Sequence, residues 1–202
     1  MYATDTQQAI QQVDTSATCG WIVDVRRNEG GRLAPIFSGI APLIGEKRLF
    51  GTSNGSSDIT WVTYAGGLFS APGYSDVNLQ LVKNPYSLIH AHPPIAVLTS
   101  ELTGSAGEFM VIALLKRPGA ETRVFGEHTQ GLTTILLGFW LYDDAYLWIA
   151  ASVITDRAGN TYPTGIEPDE KVATDFSVFG TDDDPVLQAA TQWLSNLPAC
   201  KQ

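Results

Sequence analysis

Pro94-Ile95-Ala96-Val97-Leu98-Thr99-Ser100-Glu101-Leu102-Thr103-Gly104-Ser105-Ala106-Gly107-Glu108 sets the fold class. Its first half is short, apolar and rich in branched side chains, which predicts a buried strand over Ile95–Thr99. Its second half is a run of small and polar residues leading into an apolar helix over Gly107–Lys116, closed by Pro118-Gly119. Ser105 therefore falls at a strand-to-helix junction. A hydroxyl there is exposed beside the unpaired N–H donors of a helix start, which is how a nucleophile is presented. The same residues also read as a plain helix start, with Ser105 as N-cap and Glu108 completing a capping box.

Outward from this stretch the chain alternates helices and strands. Residues 4–15 carry Ala9, Ile10 and Val13 on one helical face, and Trp21–Val25 reads as a second buried strand. Asn28-Glu29-Gly30-Gly31 is a turn, and Leu33–Ile44 has helical apolar spacing, with Pro42 predicting a short or broken helix. Gly51–Asp58 reads as a loop, Ile59–Tyr64 and Leu68–Ser70 as a hairpin, and Tyr74–Pro94 as irregular. Thr122–Phe125 is a short strand. Thr133–Leu141 and Tyr146–Thr155 form a long hairpin across Asp143-Asp144, and a final helix starts at Pro185, capped by Asp182–Asp184. The hairpin aromatics Trp61, Tyr64, Trp140, Tyr142, Tyr146 and Trp148 are expected in core or sheet-face packing. This order argues an α/β class in one domain, with residues 1–19 as an N-terminal helix and 20–197 as the core.

The 202 residues carry 44% apolar and 16% charged side chains and a net charge of −9. Such a composition argues against dominant disorder. The acidic balance disfavours nucleic acid and anionic membrane surfaces. No apolar run long enough for a spanning helix and no signal peptide is visible, and the compartment stays open. Cys19 reads as a buried thiol and Cys200 as a surface thiol, with a bridge between them left open. Three histidines without ligand spacing suggest no metal, and nothing suggests a cofactor.

Four segments, taken in order, resemble the tail-specific, or C-terminal processing, family of serine peptidases. They are Asp24-Val25-Arg26-Arg27-Asn28-Glu29-Gly30-Gly31, the Pro94–Leu98 strand with Thr103–Glu108, the Gly126–Gly131 loop of pattern G-E-x-T-x-G, and Asp156-x-x-Gly159-x-x-Tyr162 followed by Gly165-Ile166-Glu167-Pro168-Asp169. The resemblance runs from about Gly20 to Leu197 and points to the interphotoreceptor retinoid-binding protein-like and tricorn-like branch. It implies the ClpP/crotonase-like ββα superhelix and hydrolysis of peptide or protein substrates without a cofactor. It makes Ser105 the nucleophile, with oxyanion donors from the amide of Ala106 and from Gly30 or Gly31.

The general base is harder to place. One branch of the family uses a lysine just after the G-E-x-T-x-G glycine, and Leu132 stands there. Another uses a histidine from a segment preceding the first motif, where this chain has none, and a late glutamate, whose place falls near Tyr162. That leaves His128, His90, His92 and Lys116. His128 lies in the loop that carries the base in the lysine branch, while His90 and His92 flank the entry to the Ile95 strand and Lys116 lies about three helical turns beyond Ser105. Glu108 is expected to brace the turn, and Asp24 and Arg26 to form structural bonds. The expectation is a domain lacking the N-terminal part of its relatives, or one whose base comes from a second chain or homo-oligomer. The alternative is a non-catalytic module for peptides or apolar ligands on the same fold, and acyl-CoA chemistry is disfavoured by the acidic charge.

Overall fold

The computed structural model describes residues 2–55, 58–73 and 78–201. In chain order the elements are α1 (Tyr2–Val13), β1 (Trp21–Asp24), α2 (Leu33–Ile44), β2 (Lys47–Ser53), β3 (Thr60–Ala65), β4 (Leu68–Ser70), β5 (Leu79–Gln80), β6 (Ile95–Thr99), α3 (Ala106–Leu114), β7 (Thr122–Gly126), β8 (Thr134–Trp140), β9 (Tyr146–Thr155), β10 (Glu170–Lys171) and α4 (Pro185–Asn196). They form a mixed α/β unit with two sheets.

The first sheet is parallel, in the order β1-β6-β7-β10. Strand β6 is buried on both faces, as its continuous apolar run requires. Ile95 and Val97 face the main core, while Ala96 and Leu98 face Val186, Ala190 and Leu194 of α4. The second sheet is antiparallel, in the order β5-β4-β3-β2-β9-β8. Helices α2 and α3 pack with it through Phe37, Phe50, Phe69 and Phe109, whose neighbouring ring centroids lie 5.1–6.1 Å apart.

Five sequence expectations are corrected. Pro42 does not break α2, which continues to Ile44. A proline at position 42 leaves the Ser38 carbonyl without its helical donor. The Gln7 side chain of α1 supplies one instead, with Nε2 donating to Ser38 O at 2.7 Å. The Gly51–Asp58 loop is too long, since β2 continues to Ser53; Ser56 and Ser57 lie outside the described residues. Gly51 is needed in the strand because a methyl group there would lie 2.4 Å from Thr155 Oγ1 of β9. Within the Tyr74–Pro94 stretch expected to be irregular, Leu79–Gln80 instead pair with β4 as the short strand β5, and Tyr74–Val77 are likewise outside the description.

The fourth correction concerns the aromatics. Tyr64 is buried, but Trp140, Tyr142, Tyr146 and Trp148 are exposed. Strand β9 pairs with β2 only over Val153–Thr155, so its outer part pairs with β8 alone. The hairpin thus projects from the body as a two-stranded ribbon.

The fifth correction joins the cysteines. Cys19 and Cys200, 181 positions apart in the sequence, form a disulfide with Cα atoms 5.1 Å apart. It fastens the segment before β1 to the residues after α4. Removing this bond is expected to destabilise the fold by about 2–4 kcal/mol. For a chain of this size that is a fall of roughly 5–15 °C in the thermal midpoint. Thermal unfolding with and without reductant, and of Cys19→Ser/Cys200→Ser, reads the effect; an unchanged midpoint would contradict it.

Candidate active site

The site is built at the carboxyl ends of β1 and β6, which run parallel with Asp24 opposite Leu98. Side-chain hydroxyls stitch the two following turns together. Ser100 Oγ donates to Arg26 O at 2.6 Å and Thr103 Oγ1 to Val25 O at 2.9 Å, while the Gly104 amide donates to Asn28 O at 3.0 Å. The small residues are required by this approach. A methyl group on Gly107 would lie 2.3 Å from Asn28 O, and one on Gly30 would lie 2.8 Å from Ser105 Cβ.

Ser105 sits at this contact with φ 50° and ψ −121°. A non-glycine residue in that region is strained and is held only where its surroundings fix it. Here Glu108 does so. Its side chain is fully buried, and its carboxylate accepts four hydrogen bonds. Oε2 takes the amides of Ser105 at 3.0 Å and Leu132 at 2.7 Å. Oε1 takes the Thr129 hydroxyl at 2.5 Å and the Gly131 amide at 2.8 Å. The brace expected at Glu108 therefore reaches beyond its own helix start: it ties the Ser105 turn to the Gly126–Leu132 loop.

The amides of the Gly30-Gly31 turn and of Ala106 divide into two kinds. Gly30 N–H donates to Asn28 Oδ1 at 3.0 Å within its own turn. Among the described residues no protein acceptor receives the amides of Gly31 or Ala106. Ala106 opens α3, so its N–H belongs to the unpaired first turn of a helix. A groove of about 780 Å³ is lined by Gly30 and Gly31 together with Tyr2, Arg27, Pro35 and Phe179.

The candidate bases are dispersed. His90 contacts Ser16 O at 3.0 Å, and His90 and His92 precede β6, at the opposite end of the parallel sheet from Ser105. Lys116 follows the far end of α3. His128 is on the Ser105 side, in the braced loop. Its Nε2 is 4.0 Å from Glu167 Oε1, and its ring packs on Gly165. Leu132 is half exposed, and its amide shares one Glu108 oxygen with that of Ser105.

The remaining motif residues hold the frame. Arg26 is fully buried between Asp24 and Asp184, at 2.7 Å from each carboxylate. Asp156 accepts from the amides of Ala158 and Asn160, the Asn160 side chain and the Tyr162 hydroxyl. Burial and this bond push the Tyr162 phenol well above its ordinary range. The Thr129 amide donates to Ile166 O at 3.3 Å and the Ile166 amide to Thr129 Oγ1 at 2.8 Å, while Asp169 Oδ2 accepts from Val124 N at 2.8 Å. Sequence reasoning missed Thr129, whose hydroxyl bridges Glu108 and Ile166; its signal was its fixed place in the G-E-x-T-x-G pattern.

A family model described as peptidase family S41 matches residues 1–172. The chain belongs to peptidase family S41. A nisin-resistance protein of Lactococcus lactis subsp. lactis is 32% identical over 154 residues, covering 74% of this chain and 45% of that protein. A lipoprotein from Streptococcus agalactiae superposes with TM-score 0.70 at 26% identity, over 96% of this chain and 59% of that one. The photosystem II D1 C-terminal processing protease shares the fold, with TM-score 0.58 at 21% identity, over 94% and 42%. This S41 chain thus spans about half the length of these relatives, from 42% to 59%. Among its described residues no helix is long and apolar enough to cross a membrane.

Proposed function

We propose that this S41 chain is a serine-type peptidase domain in which Ser105 attacks the peptide carbonyl. The observation that carries this reading is the strained, braced Ser105 packed against the Gly30 turn, with the Ala106 amide beside it and the Gly31 amide of that turn both without protein acceptors among the described residues. Ala106 N–H and Gly31 N–H supply the oxyanion donors, and Gly30 shapes the turn while its own amide is held by Asn28. The architecture is read as the ClpP/crotonase-like ββα superhelix, and the substrates as peptides or proteins, consistent with family membership. The proton acceptor is assigned to His128, the histidine on the Ser105 side of the sheet, with a group from a second chain as the competing source. The Cys19–Cys200 bond supports work in an oxidising compartment.

Labelling by a small fluorophosphonate probe tests the reading. The wild type is expected to label at Ser105, Ser105→Ala not at all, and His128→Ala at least about tenfold more slowly. Undiminished labelling of His128→Ala would move the base to the second chain. Absence of labelling in the wild type would favour the non-catalytic binding module, the reading that Leu132 at the family's lysine position supports.

A further inference from the structure

The β8–β9 ribbon is apolar on both faces. Leu137 pairs with Ile149 and Phe139 with Leu147, so these four side chains share one face, and each is 42–48% exposed. The opposite face carries an edge-to-face ladder in which Trp140–Tyr146 and Tyr146–Trp148 centroids lie 4.6 and 4.9 Å apart, with the Tyr146 ring laid over Gly138. A two-stranded hairpin is marginal in water on its own, and an exposed apolar ribbon marks a contact surface. Strand β8 also ends its sheet, so among the described residues no strand pairs with its outer edge.

The root of the ribbon decides what it contacts. Glu108 holds the amides of Ser105, Gly131 and Leu132, so β8 leaves the body directly beside the candidate nucleophile. Between Thr133 and Thr155 the only charged residues are Asp143 and Asp144, at the tip. An inserting ribbon would drive both carboxylates into the membrane first, which is costly. A cationic partner is favoured by them and by the net charge of −9.

We propose that the outer edge of β8, with the Leu137/Phe139/Leu147/Ile149 face, docks an extended apolar peptide segment bearing a basic residue at the end nearest Asp143 and Asp144. The inference rests on the peptidase reading for its substrate but not for its surface. The seven residues of β8 offer about 20 Å of edge, enough for six or seven peptide residues.

The test uses fluorescein-labelled nine-residue peptides with lysine at both ends and either Leu, Val and Phe or Ser and Gln between. Anisotropy on the full chain is expected to show the apolar peptide binding at least about tenfold more tightly. Leu137→Thr/Phe139→Thr/Ile149→Thr keeps strand propensity and is expected to remove that preference while Ser105 still labels with the small probe. Asp143→Asn/Asp144→Asn is expected to weaken binding about threefold at low salt. Equal binding of both peptides, or of wild type and triple variant, would overturn the proposal. So would a dimer, or cosedimentation with anionic lipid vesicles, abolished by the triple variant without any peptide binding. Peptide binding with an unlabelled Ser105 would leave the docking surface standing and remove the peptidase reading.

Discussion

Glu108→Ala is expected to cost about 3–5 kcal/mol of stability and to abolish labelling of Ser105. The carboxylate is buried and serves four donors, three of them backbone amides that cannot move away or turn to water. Each buried donor left unsatisfied costs about 1–3 kcal/mol, reduced where relaxation or water entry compensates. Reactivity suffers separately, because the strained backbone of Ser105 is fixed through its amide, and the Thr129–Leu132 loop would come loose with it. Glu108→Gln separates the two effects. Its single carbonyl oxygen can keep only one pair of donors, so an intermediate loss of stability is expected with labelling still strongly slowed. Urea unfolding and labelling rates on the three proteins measure this. A stable Glu108→Ala protein that labels at the wild-type rate would show that the brace is incidental.

Arg26→Met carries a comparable loss, about 3–5 kcal/mol, for a different reason. The guanidinium is buried between two carboxylates and stacks on Phe179 at 4.4 Å. Removing it leaves Asp184 buried and uncompensated, and breaking a buried pair on one side is far more costly than exchanging the pair for apolar residues. Asp184 also caps α4, accepting from the amides of Val186 and Leu187. Burial alone would raise the Asp184 carboxyl. The bonds from Arg26 and from the Gly180 and Leu187 amides outweigh it and bring the carboxyl down to about 2. The folded protein therefore binds fewer protons than the unfolded chain in this range, so stability rises with pH. The Asp184 contribution is full above about pH 4 and is lost as pH falls toward 2. Acid titration is expected to show a flatter loss over that window in Asp184→Asn, from a lower starting stability. Superimposable acid curves would contradict the assignment.

The parts of the fold visible in the sequence are those where local pattern and tertiary role agree. Strand β6 reads as doubly buried because Ile95–Leu98 are all apolar, and α3 as the helix after it because small residues give way to an apolar run. The two glycine turns were legible because a motif order, beyond local propensity, places them together. The outer ribbon misled for a physical reason: alternate positions are apolar on both faces, a pattern shared by strands with two covered faces and strands with none. Gly51–Ser53 misled because glycine is depleted in strands and the segment is held there by pairing with Val153–Thr155 of β9. The disulfide stayed open because 181 residues of spacing say nothing about where α4 returns. The Glu108 brace was half visible, since its capping role is local but three of its donors come from a loop more than twenty residues later.

The central claim concerns the oxygen that would form at Ser105, and a crystal structure of the fluorophosphonate adduct addresses it most directly. The expected result is a phosphonyl group on Ser105 Oγ with one oxygen about 2.7–3.1 Å from both the Ala106 and Gly31 amides. An adduct on another side chain, or one on Ser105 whose oxygens face solvent away from both amides, would contradict the account.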